Sequence, residues 1–77
     1  NSAFIWRCAN HLASSYTVKP RKDLKLIVTE LYRKVYSRDA TSQEHDVALE
    51  YLNKTGPDGL RRYIHALLIS NEFAFLD

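Results

Sequence analysis

Apolar residues recur at intervals of three and four along nearly the whole chain, and this spacing limits the possible folds more than any other feature. A period near 3.6 gathers such residues on one side of a helix, whereas a half-buried strand would alternate. Phe4, Ile5, Cys8, Ala9 and Leu12 form one set, and Leu24, Ile27, Val28, Leu31 and Val35 a second. Val47, Ala48, Tyr51 and Leu52 follow, then Leu60, Tyr63, Ile64, Leu67 and Leu68. With no strand signal between them, these sets predict an all-α fold: a compact bundle of four short helices with no sheet.

Breaks and caps divide the four sets. Ser2 is placed to cap a first helix running to about Ser14. The stretch "SSYTVKPRK" ends it, because Pro20 lacks an amide hydrogen and biases Lys19 away from helical geometry. A second helix is expected from about Lys22 to Tyr36, its apolar stripe flanked by Tyr32 and Tyr36 one turn apart. In "SRDATSQEH", Thr41 and Glu44 have the spacing of a capping box, in which each side chain satisfies a backbone amide at a helix start. Asp39, Glu44 and Asp46 also suit the positive end of that helix. Helix three is therefore expected from near Ser42 to just before "KTGPDG". There Gly56 is the expected left-handed stop, Pro57 blocks continuation, and Asp58 is placed to cap helix four.

Seventy-seven residues, 45% hydrophobic and 26% charged, describe one helical domain spanning 1–77, near the lower size limit at which a single core suffices. No run reaches the roughly 18 to 20 apolar residues that span a bilayer, and no basic, apolar, small-residue leader opens the chain. The chain starts at Asn1 and contains no Met, so it is expected to be a processed or C-terminal fragment of a longer protein. Cys8 is the single cysteine, has no internal disulfide partner and leaves the compartment open.

Charge is uneven along the chain. Residues 17–38 carry seven Lys and Arg against Asp23 and Glu30, a net of +5, and residues 39–59 carry five acids against Lys54 alone, a net of −4. A basic arm followed by an acidic one predicts mutual neutralisation, with the basic side of helix two near the acids of helix three or of the loop before it. The alternative is a nucleic-acid binder using Lys19, Arg21, Lys22, Lys25, Arg33 and Lys34 as a phosphate-contacting stripe.

Catalytic and metal signatures are sparse. Cys8 and His11 share one helical face, but zinc takes three or four protein ligands and no second cluster matches. His45 lies between Glu44 and Asp46 on a face expected to be solvated, since adjacent helical residues diverge by about 100°. His65 is expected to be partly buried and bonded to a neighbouring carbonyl. Both glycines belong to one turn, so there is no glycine-rich phosphate loop, and the sequence holds no "CxxCH", "HExxH" or nucleophile elbow. No catalytic residue, metal or cofactor is expected in this chain. "NKT" at Asn53 to Thr55 matches a glycosylation sequon, which matters only in a eukaryotic secretory context.

Two further expectations concern the ends of the chain. With Phe4, Ile5, Cys8 and Leu12 facing the core, Trp6 points away from it and becomes a candidate interface residue for the rest of a longer protein. In "LLISNEFAFLD", Ser70 and Asn71 are the candidates to end or bend helix four, turning Phe73 and Phe75 toward helix two. Glu72 would then need a cation, Arg38 or failing that Arg33, so that Arg38, Glu72, Arg33 and Asn71 form a structural clamp at the turn between helices two and three.

Three blocks, "NSAF", "LYRKVYSRDATSQE" and "HALLISNEFAFLD", resemble the C-terminal end of the family called Domain of Unknown Function fifteen-fifty-three, found in large exported planctomycete-type proteins. The matching positions are Asn1, Ser2 and Phe4, then Leu31, Tyr32, Arg33, Ser37, Arg38, Thr41 and Glu44, then Ala66, Leu67, Leu68, Ser70, Asn71, Glu72, Phe73 and Asp77. Ala40 stands where the family usually has proline, Ile69 where it has asparagine, and Tyr63 near an expected tryptophan. "YRKVYSRDAT" and "SNEF" carry a looser likeness to phycobilisome-linker-type and similar extracellular helical repeats. The family resemblance implies an exported, multidomain parent, periplasmic or extracellular, often joined to a c-type cytochrome-like module. It brings no catalytic residue, and any haem would belong to that other module. The expected role is non-catalytic: closing the parent's fold, or docking on its other domains or on an extracellular protein. The alternatives are the nucleic-acid binder above and a supporting part of a haem-linked redox or hydrolytic enzyme.

Overall fold

The computed structural model describes residues 2–17, 24–56 and 58–74, with side chains described from Ala3 to Tyr16 in the first stretch and as far as Asn71 in the last. Four helices account for most of this length: α1, Ser2–Thr17; α2, Leu24–Tyr36; α3, Ser42–Lys54; and α4, Gly59–Ala74. The described residues contain no strand, so the expected all-α bundle is the observed architecture. Helix α4 packs along α1 and also touches α2 and α3, while α2 packs on α3.

The core is built from one stripe of each helix. Ile5, Ala9 and Ala13 come from α1, Val28, Leu31 and Tyr32 from α2, Ala48 and Leu52 from α3, and Ile64 and Leu67 from α4. Burying a large aliphatic side chain such as Leu31 or Ile64 contributes about 1.5–3 kcal/mol. In α1 the alanines replace that bulk with closeness, because Ala9 and Ala13 let the helix approach its neighbour. Their register turns the buried face to Ile5, Ala9 and Ala13, with Trp6, Leu12 and Tyr16 packed at its edges. Phe4, expected in the core, is consequently 57% exposed.

Helix ends follow local chemistry, with three corrections. The capping box is present: Thr41 Oγ1 accepts from the Glu44 amide at 3.1 Å, and Glu44 Oε1 accepts from the Thr41 amide at 2.9 Å. Helix α1, by contrast, runs past Ser14 to Thr17. Ser14 and Ser15 donate back to the carbonyls of His11 and Leu12, which accommodates both serines inside the helix. Gly56 is not left-handed. Helix α3 ends instead through Thr55 in extended geometry (φ −94°, ψ 152°), and the following Pro57 disfavours helical conformations at the residue before it. The left-handed residue is Ser37, φ 60°, whose amide donates to the Arg33 carbonyl at 3.0 Å and stops α2. Finally, the polar triplet Ser70, Asn71 and Glu72 does not end α4, which continues to Ala74. Phe75 and the side chains of Glu72 and Phe73 lie outside the described residues, as do Lys19, Arg21 and Lys22.

Candidate interaction surface

Arginines of the basic arm turn inward on acids of the acidic arm. Arg33 Nε donates to Asp39 Oδ1 at 2.6 Å. Arg38 holds Glu44 with two parallel hydrogen bonds, Nη1 to Oε1 and Nη2 to Oε2, each 2.9 Å, and also donates to the Asp39 carbonyl. Its guanidinium lies 5.4 Å from the Tyr32 ring centroid and 5.6 Å from that of Tyr36. Arg38 thus clamps the turn between α2 and α3 as its residue type suggested, but the carboxylate in its fork belongs to Glu44. The other proposed cation, Arg33, is engaged by Asp39, and Asn71 sits half-buried within α4. Hydrogen bonds from Arg38 and the Thr41 backbone hold the Glu44 carboxyl down to about 2.

Other charged groups are locally matched as well. Asp58, at the start of α4, accepts from Arg61 Nε at 2.8 Å and from Arg62 Nε at 2.9 Å, which lowers its carboxyl below the usual range. Lys54 pairs with Glu50 one turn earlier. Tyr16 links α1 to α2, donating to Glu30 at 3.1 Å and accepting from Lys34 at 3.2 Å. Its hydroxyl is pushed up, chiefly by burial. Each such exposed ion pair contributes little by itself, because water and salt screen it. Their joint consequence is that the basic side of α2 is neutralised at Arg33 and Arg38 by the loop and by the start of α3.

His45 and Trp6 occupy places different from those expected, whereas His65 is half-buried as expected. Trp6 is half-buried between α1 and α4, its ring stacked on His65 (centroids 3.6 Å apart, planes 15° apart), with the Arg61 guanidinium 4.5 Å from its centroid. The outward-pointing interface tryptophan is therefore a contact within the bundle. His65 Nε2 is buried without a hydrogen-bond partner, in place of the expected carbonyl bond. His45 is half-buried rather than solvated: its Nε2 lies 3.4 Å from Thr29 Oγ1, across α2 and α3, and its Nδ1 is buried and unpartnered. Cys8 is half-buried and His11 exposed. Among the described residues, no three His, Cys, Asp or Glu side chains come together in a way that would hold a metal, and no helix is long and apolar enough to cross a membrane.

The feature missed in the sequence is an apolar patch on α3. Val47 is 68% exposed and Tyr51 37% exposed, although both were expected in the core. They lie one turn apart, so they share a face. Tyr63 of α4 extends that face inward, its ring 6.3 Å from that of Tyr51. Burial pushes the Tyr63 hydroxyl far up, with Tyr32 acting in the same direction. A signal was available: Ala48 and Leu52 are also one turn apart, and Val47 points about 100° from Ala48, so a core contact centred on Ala48 and Leu52 leaves Val47 and Tyr51 at its side.

No family model, curated protein or solved structure matches the chain.

Proposed function

We propose that the chain is a non-catalytic structural and interaction module that closes the C-terminal end of a larger exported multidomain protein, seating the outer face of α3 against a neighbouring domain. The observation that carries this reading is the exposed Val47 and Tyr51 pair, because apolar side chains left outside a small core gain stability when a partner covers them. Tyr51 has the character of an interface anchor, a rigid ring with a polar tip, and Tyr63 supports it from beneath. The exported parent rests on the resemblance of the three sequence blocks. The nucleic-acid reading gains no support from Arg33 and Arg38, since a phosphate would have to displace Asp39 and Glu44 from them.

The test is a surface substitution that spares the core. Val47→Lys with Tyr51→Ser should leave the helical content and melting of the 77-residue chain nearly unchanged. In the longer polypeptide, the same pair should loosen docking of the module, read as new proteolytic cleavage at its junction with the preceding domain. Unchanged proteolysis with unchanged folding contradicts the proposal.

A further inference from the structure

We draw no further inference here: the strongest candidate, the Val47, Tyr51 and Tyr63 patch on α3 and α4, belongs to the surface already described, and nothing in the structure shows which partner covers it.

Discussion

Arg38 and Glu44 are joined by two parallel 2.9 Å hydrogen bonds, and the same carboxylate also receives the Thr41 amide that closes the α3 capping box. One side chain therefore serves the end of α2 and the start of α3. A carboxylate has about four acceptor sites, enough for both tasks without competition. The pair should shape the acid response of the fold. Glu44 titrates near 2 when folded against an ordinary 4.5, so its contribution is fully present above about 4.5 and is lost as pH falls through about 2. Asp39 and Asp58, lowered by Arg33 and Arg61 respectively, act in the same direction. Urea midpoints measured between pH 6 and pH 2 should fall over the acid range, and Glu44→Gln should flatten that limb. An equally steep acid limb in the variant would refute this role for the carboxylate.

Much of the fold was legible because it depends on short-range rules. The spacing of Thr41 and Glu44 predicts a cap whatever surrounds it, and the cap is there. What could not be read was the choice between overlapping stripes. In α1, Phe4, Ile5, Cys8 and Leu12 make one plausible face, and Ile5, Ala9 and Ala13 another. The second prevails because small residues permit close packing on α4, which stacks Trp6 on His65. The clamp shows the same limit. Arg38 and its bidentate chemistry are legible, but the capping role of Glu44 hides its second one, since spacing alone does not show that one carboxylate serves both.

Ser37 carries a left-handed backbone, φ 60°, at the end of α2. A side chain in that region costs roughly 1–2 kcal/mol, part of which glycine recovers. Ser37→Gly should therefore raise stability by about 0.5–1 kcal/mol, seen as a higher denaturant midpoint with an unchanged slope. A lower midpoint would mean that the Ser37 side chain makes a contact worth more than the strain.

Gly59 begins α4 against Thr55. A Cβ at Gly59 would overlap Thr55 Oγ1 and lie 2.6 Å from Thr55 Cβ, closer than real carbon atoms approach. Gly59→Ala should cost about 1–3 kcal/mol, as overpacking does, despite the better helix propensity of alanine. Adding Thr55→Gly removes the obstructing atoms, so the double variant should be more stable than the sum of the two single effects implies. Simple additivity in that cycle would show that the helix start relaxes instead.

The central claim is that the outer face of α3 is a docking face, and side-chain oxidation reads it directly. Hydroxyl-radical footprinting of the isolated 77-residue chain should label Val47 and Tyr51 readily, whereas Leu52, on the core side of the same helix, should stay protected. In the longer exported polypeptide to which the chain is proposed to belong, Val47 and Tyr51 should become protected while exposed positions on the opposite side of the bundle remain labelled. Equal labelling of Val47 and Tyr51 in the isolated chain and in the longer polypeptide would contradict the account.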